Sequence, residues 1–155
     1  RGEVSIPLQK GASRLFYIVP RDGSFALAHL AAGDPPREIT VPARTGSLVI
    51  HARDDAGAPI EALRFLVAYN GEVLPQAFWT VMSHAQNLDF ITDAAGVLRH
   101  SRLPAGTYEV WPYRSDAEGR AIARNTGAVP PAARVVVHPA DEQVVRLTFA
   151  KRSRV

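Results

Sequence analysis

Apolar and polar residues alternate along most of this chain in short runs, which are separated by residues that favour turns. The runs 47–53 and 144–149 show the alternation most clearly, and each places three apolar residues on one face. These sets are Leu48, Ile50 and Ala52, and Val145, Leu147 and Phe149. A period of two that is broken by turn residues is typical of β-strands, and no segment shows a convincing helical period. The pattern therefore predicts an all-β, antiparallel sandwich.

The strongest local turn signal is Asn70-Gly71, because both residues tolerate positive φ angles and the pair favours a tight hairpin. It separates the predicted strands 63–69 and 72–74. Residues 83–88 are polar and are expected to form a loop or a single helical turn. The other predicted strands cover residues 4–8, 15–19, 25–29, 38–41, 78–82, 97–99, 107–113, 121–123 and 134–138.

A twelve-residue pattern occurs twice without gaps, at residues 22–33 and 95–106. Each copy reads turn glycine, short strand, leucine, small residues and a second glycine. The matched pairs are Gly23 and Gly96, Phe25 and Leu98, Leu30 and Leu103, and Gly33 and Gly106. This repeated spacing of turn glycines and short strands predicts the fold and does not indicate catalytic chemistry.

Three motifs in the second half of the chain carry a family resemblance. Residues 54–62 read Asp-Asp-Ala-Gly-Ala-Pro-Ile-Glu-Ala, residues 92–98 read Thr-Asp-Ala-Ala-Gly-Val-Leu, and residues 103–108 read Leu-Pro-Ala-Gly-Thr-Tyr. With these motifs, residues 46–150 resemble the carboxypeptidase regulatory-like domain, a transthyretin-like or prealbumin-like β-sandwich. Related sandwiches, such as the Cna-type B repeats of surface proteins, share most of the motifs. The resemblance implies an Ig-like or transthyretin-like sandwich with an additional N-terminal β segment.

The resemblance assigns nine residues to turns and to one corner of this sandwich. They are Asp54, Gly57, Pro59, Asp93, Gly96, Leu103, Pro104, Gly106 and Tyr108. Gly96 and Gly106 suit turns that disfavour a β-carbon, and the ring of Pro104 presets φ at the corner. Tyr108 is expected to pack inward and to donate its hydroxyl to a nearby backbone group.

The same resemblance divides the chain into three parts. Residues 46–150 form the sandwich, and residues 151–155 form a basic tail. Residues 1–45 form an N-terminal β segment, which is either the back half of a sister domain or an edge extension packed on the main one. The stretch between Ala62 and Thr92 is long for the family, so a specialised function is expected there.

Composition narrows the function classes. With 155 residues the chain holds one domain, or one domain and part of another. The net charge is only +3 and the basic residues are dispersed, so nucleic acid is not an expected partner. The absence of cysteine excludes disulfides and thiolate chemistry, and no apolar run reaches the ~18 residues of a membrane span. The first residue is arginine, which suggests a processed chain or a fragment of a longer one.

Polar side chains give no strong sign of catalysis, of a metal site or of a cofactor. The histidines lack ligand spacing, and the acidic turn residues suit the capping of backbone groups better than a calcium loop. The histidines are His29, His51, His84, His100 and His138, and the acidic turn residues are Asp54, Asp55, Asp89 and Asp93. A set of Ser83, His84 and Asp89 lacks a nucleophile elbow, and Lys10 and Asn125 are poorly placed for an isopeptide bond.

Aromatic residues are the strongest candidates for a binding site. In the strand 107–113, alternation points Tyr108 inward and Trp111 and Tyr113 outward. Together with Trp79, these outward rings either stack on sugar rings or anchor a protein partner, or they are covered by the N-terminal segment or by the long insertion.

The resemblance implies a non-catalytic accessory module of a larger bacterial-type protein that is secreted, periplasmic or on the cell surface. Such a module acts as a spacer, a stabiliser or an interaction domain for other domains of the same chain or assembly. One alternative is a carbohydrate-binding module that holds polysaccharide on Trp79, Trp111 and Tyr113. Another is an assembly subunit that docks by sheet-edge pairing, with residues 4–42 as the docking strands.

Overall fold

The computed structural model describes residues 6–20, 24–75, 78 and 90–150. Nine strands and one helix are described in full within these ranges. In chain order they are β1 (Ser13–Ile18), β2 (Ala26–Ala31), β3 (Thr45–Asp54), β4 (Arg64–Tyr69), β5 (Glu72–Leu74), β6 (Val97–Pro104), β7 (Gly106–Tyr113), α1 (Asp116–Ala123), β8 (Ala133–Val137) and β9 (Glu142–Phe149).

Two sheets form the sandwich, and the predicted all-β fold is confirmed. The four-stranded sheet has the order β5-β4-β7-β8 and is antiparallel throughout. The three-stranded sheet has the order β6-β3-β9, in which β3 pairs antiparallel with β6 and parallel with β9. β1 and β2 form a separate antiparallel hairpin. The sandwich is therefore antiparallel except at β3 and β9, where its first and last strands run in the same direction.

The core lies between the two sheets and is built by the alternation seen in the sequence. Leu48, Ile50 and Ala52 of β3 are fully buried and face the other sheet. Val67 of β4 and Val110 of β7 are also fully buried and complete the contact from the other side. Alternation along each strand sends these side chains inward, so the interior is filled by the residues that the pattern predicts.

The N-terminal hairpin is attached to the sandwich through its aromatic residues. Phe25 has no exposed surface and belongs to the main core cluster. Its ring lies 5.3 Å from that of Tyr69 and 5.0 Å from that of Phe78, measured between centroids. His29 Nε2 lies 3.5 Å from Glu72 Oε2 on β5. Residues of the hairpin thus help to fill the core, while the division of the chain into domains stays a prediction.

Four strand predictions fail, wholly or in part, within the described ranges. Residues 38–41 form no strand. Residues 121–123 belong to α1, which begins where Ser115 Oγ accepts a hydrogen bond from the backbone N–H of Glu118. Phe78 is helical rather than extended, and residues 6–8 lie outside any strand. Residues 4–5, 79–82 and 83–88 lie outside the described residues.

Within the described ranges no helix is long and apolar enough to cross a membrane.

Candidate functional site

Trp111 is buried on the outer face of the four-stranded sheet, with 3% of its surface exposed. Its indole Nε1 donates a hydrogen bond of 2.8 Å to the carbonyl of Val129. Around the ring lies a small apolar cluster that also contains Leu66, Ala68, Val73, Tyr113, Ile122 and Val129. Of the two alternatives left open by the sequence, an exposed and a covered ring, the structure shows a covered one. The expected cover was the N-terminal segment or the long insertion, whereas the apolar contacts and the hydrogen bond come from Ile122 and Val129. Alternation does direct the ring outward, but α1 and the segment that follows it cover the ring.

Tyr113 helps to hold α1 against the sheet and is half-buried. A β-carbon added at Gly119 of α1 would lie 3.0 Å from the Tyr113 ring, so helix and ring are in close contact. Burial raises the pKa of the Tyr113 hydroxyl, with Arg64 lowering it and Asp116 raising it. Arg64 Nη1 lies 2.7 Å from Asp116 Oδ1 and ties β4 to the start of α1. The third aromatic candidate, Trp79, lies outside the described residues.

A groove of about 440 Å3 lies beside Trp111, between the outer face of the four-stranded sheet and residues 126–131. One wall holds the ion pair of Glu109 and Arg134, whose Oε1 and Nε atoms are 2.9 Å apart. The other wall includes Pro130 and Pro131. Because the indole is nearly fully covered and its N–H is already bonded, the groove does not offer the flat aromatic platform on which a sugar ring stacks.

The two acidic turn residues are engaged by the backbone of their own turns. Asp54 Oδ1 and Asp93 Oδ1 each accept two hydrogen bonds from backbone N–H groups. The donors are Ala56 at 3.0 Å and Ala58 at 2.8 Å for Asp54, and Ala95 and Val97, both at 2.9 Å, for Asp93. These are Asx turns, so both carboxylates have a structural role. Pro59 follows the first turn and bridges to Arg53, and Gly57 within it has a φ of 84°.

Gly96 closes the second turn in a position that requires glycine. Its φ is 71°, in the left-handed region, and an added β-carbon would lie 2.5 Å from the carbonyl oxygen of Ala52. The backbone of β3 therefore approaches this turn more closely than any side chain allows.

The corner at residues 103–108 has the predicted geometry. Tyr108 is fully buried, and its hydroxyl donates a hydrogen bond of 2.9 Å to the carbonyl of Pro104. Burial, with a smaller effect of Tyr69, raises the pKa of the Tyr108 hydroxyl. A β-carbon at Gly106 would lie 2.5 Å from the Tyr69 ring, and Leu103 is fully buried. The interactions of Tyr108 predicted from the sequence are confirmed.

His100 is the one described histidine that is fully buried, and sequence reasoning missed this. Its Nδ1 lies 3.0 Å from the carbonyl oxygen of Ser101, and its ring centroid lies 4.8 Å from that of Phe90. Burial lowers its pKa to about 4, against a smaller opposing effect of the Ser101 carbonyl. The signal was present, since His100 lies two residues after the inward-facing Leu98. Among the described residues, no group of three or more His, Asp or Glu is placed to hold a metal ion.

The outer edge of β9 is one of the sheet borders within the described ranges. Within the described ranges β9 pairs with β3 alone, so its other side forms a border of the three-stranded sheet. We name this border the β9 edge, residues Glu142–Phe149. Its side chains alternate between exposed and half-buried along all eight residues. An edge strand of this length presents backbone N–H and C=O groups to which another strand can pair.

Comparison with known proteins gives matches to solved structures at low identity. No family model matches the sequence, and no curated protein matches it either. The Bacillus anthracis TIE protein is 14% identical over 81% of this chain and 20% of its own, with a TM-score of 0.46. GBS52, the minor pilin of Streptococcus agalactiae, is 14% identical over 72% of this chain and 47% of its own, with a TM-score of 0.49. Klebsiella pneumoniae 5-hydroxyisourate hydrolase is 23% identical over 68% of this chain and 90% of its own, with a TM-score of 0.39. The chain thus spans about a fifth of the first and about half of the second.

Proposed function

We propose that this chain is a non-catalytic accessory β-sandwich module of a larger secreted or cell-surface protein, and that it acts by contacting other protein modules. The observation that carries the proposal is the β9 edge, an eight-residue border strand with alternating exposed side chains. Pairing of a further strand along such an edge supplies main-chain hydrogen bonds, while the exposed side chains provide specificity. Natural proteins protect long sheet edges, so an edge of this kind fits a contact surface.

The chemistry of the polar residues supports the non-catalytic part of the proposal. Asp54 and Asp93 each cap their own turn through two backbone amides. His100 is buried, with its pKa lowered to about 4, so it is neutral at physiological pH and shielded from substrates. A catalytic base works best with a pKa near the operating pH and with access to the reacting group, and His100 has neither.

In this proposal the N-terminal hairpin stabilises the module, whereas the sequence led us to consider residues 4–42 as docking strands. Phe25 is inserted into the main core, where it contacts Tyr69 and Phe78. A segment that fills the core cannot leave it to dock elsewhere without exposing that core. We therefore assign the hairpin to the stability of the module and assign docking to the β9 edge. The carbohydrate alternative is not adopted, because it depended on an exposed Trp111.

Photo-crosslinking in cells that produce the whole parent protein tests this function. A photoreactive phenylalanine analogue replaces Val144 at the centre of the β9 edge, and a control chain carries it at Asp55, an exposed turn residue. We expect adducts to a protein from position 144 and few or none from position 55. The absence of any adduct specific to position 144 contradicts the proposed function.

A further inference from the structure

We propose that the β9 edge binds the β9 edge of a second copy of this chain, antiparallel and with Val144 opposite Val144 of that copy. This inference rests on the proposed function and names the partner of the same surface. The product is one continuous six-stranded sheet with the order β6-β3-β9-β9-β3-β6, formed from the two three-stranded sheets. Three observations on β9 lead to it: the face of its side chains, their charges and the register that these charges permit.

The register of β9 against β3 identifies the side chains that lie on the outer face. Glu142, Val144 and Arg146 are the Cα partners of Ser47, Val49 and His51. The intervening β3 residues Leu48 and Ile50 point into the core. Since partners in a ladder share a face, Glu142, Val144 and Arg146 all lie on the outer face of the sheet. All three are exposed, and 43% of Val144 is accessible to solvent.

These three residues form a self-complementary row. Val144 lies at the centre, with a negative charge two residues before it and a positive charge two residues after it. Antiparallel pairing about Val144 places Glu142 opposite Arg146 of the second copy, and Arg146 opposite Glu142 of that copy. Two ion pairs then flank one apolar pair, and directly opposed residues of this kind stabilise a sheet.

Other registers do not place Glu142 opposite Arg146 of the second copy. Pairing centred on Glu142 or on Arg146 places like charges directly opposite each other, which is destabilising. Pairing centred on Val145 sets Arg146 against Val144 of the second copy and leaves both charges without a partner. A shift of a single position sets outer-face residues against inner-face residues, which the pleat forbids. The charges therefore select one register.

Glu142 can serve both its own chain and the second copy. Its Oε2 lies 2.5 Å from Arg99 Nη1, on the side of the sheet towards β6. A carboxylate accepts hydrogen bonds on two oxygens, so a second guanidinium can approach from the other side. Arg146 of the second copy arrives from that side, because the β9 edge faces away from β3 and β6. The contact is small, so we expect the association to be reversible and concentration-dependent.

Disulfide trapping tests the register directly, because the chain contains no cysteine. In the Val144→Cys variant the new thiol pairs only with its own counterpart, at the predicted two-fold axis. The matched control is Val136→Cys on β8, an exposed valine in the other sheet, 48% accessible against 43% for Val144. Under mild oxidation we expect Val144→Cys to form covalent dimers about tenfold faster, the scale set by a few cross-strand pairs. Equal rates for the two variants overturn the inference.

Charge exchange provides a second test, read by sedimentation equilibrium of the full chain. Glu142→Arg and Arg146→Glu each oppose like charges and are expected to abolish dimers, while the double variant restores them. Arg53→Glu, on the outer face but on β3, is the control that leaves dimers unchanged. Monomeric wild type, or a double variant that stays monomeric, overturns the inference.

The photo-crosslinking experiment described above distinguishes this inference from the proposed function. If position 144 photo-crosslinks only to a different protein, the second copy is the wrong partner and the proposed function stands. If it crosslinks to nothing, both fail.

Discussion

Arg99 on β6 and Glu142 on β9 meet across the strand that separates them, with Nη1 and Oε2 2.5 Å apart. Val49 of β3 is the Cα partner of Arg99 and points to the same outer face, yet it is only 1% exposed. The ion pair joins both outer strands of the sheet. Its side chains are 61% and 46% accessible, so its own contribution to stability is small. Its larger effect is to orient Glu142 at the β9 edge.

Replacing Phe25 tests whether the hairpin belongs to the core. Phe25→Ala removes a fully buried ring that contacts Tyr69 and Phe78, and we expect the free energy of unfolding to fall by about 3–5 kcal/mol. Denaturant titration measures this, with Val136→Ala as the exposed control. Removal of residues 1–45 is expected to destabilise the remainder by at least as much. A truncated chain as stable as the full one would contradict the assignment.

The corner hydrogen bond is tested by a pair of tyrosine variants. Tyr108→Phe deletes the buried bond to the Pro104 carbonyl and leaves that oxygen without its donor, so we expect a loss of about 1–3 kcal/mol. Tyr69→Phe deletes a bond of 3.0 Å to the Ala105 carbonyl at a more exposed place, where water can replace it. We expect the second loss to be smaller in thermal or denaturant unfolding. Equal losses would show that burial does not increase the contribution of the Tyr108 hydrogen bond to the free energy of unfolding.

His100 makes stability depend on pH. Its pKa is about 4 when folded and near 6.5 when unfolded, so between these values the unfolded chain binds more protons. Stability from this residue is complete above pH 6.5 and is lost as pH falls towards 4, by at most about 3 kcal/mol. His100→Leu removes this part of the pH dependence, while the contribution of the carboxylates remains. Unfolding curves of both proteins from pH 7 to 4 measure the difference, and parallel curves would exclude the effect.

Alanine variants of two glycines distinguish the cost of backbone strain from the cost of steric contact. Gly57 and Gly96 both have positive φ, but only Gly96 has backbone atoms within reach of an added β-carbon. Gly57→Ala is expected to cost about 1 kcal/mol from its backbone conformation alone. Gly96→Ala is expected to cost about 1–3 kcal/mol more, because the Ala52 carbonyl lies 2.5 Å from the new atom. The comparison is made by denaturant unfolding, and similar costs for both would mean that β3 can move away from the turn.

Features that depend on neighbouring residues could be predicted from the sequence. Asn70 and Gly71 adopt φ angles of 49° and 83° in the two-residue hairpin between β4 and β5, as their residue types indicate. Tyr108 follows the corner glycine by two residues, so its inward direction and its nearby carbonyl acceptor come from local chain geometry.

Features that depend on distant contacts could not be predicted. Alternation placed Trp111 on the outer face correctly, but its cover comes from residues 116–132, which fold back over the sheet. Residues 121–123 are predicted as a strand from the sequence, whereas they belong to α1, at whose start the Ser115 hydroxyl accepts a hydrogen bond from the Glu118 N–H. The position of β9 at a border depends on which strands pair across the whole chain, which no local pattern contains.

Hydrogen–deuterium exchange along β9, measured at several protein concentrations, tests the central claim most directly. We predict that backbone amides of Glu142–Phe149 exchange more slowly as concentration rises, because those facing away from β3 become hydrogen-bonded to another strand. The Val144→Lys variant opposes two like charges at the axis and should remove this protection while leaving exchange in β4 and β7 unchanged. Exchange along β9 that is independent of concentration and identical in the variant would contradict the account.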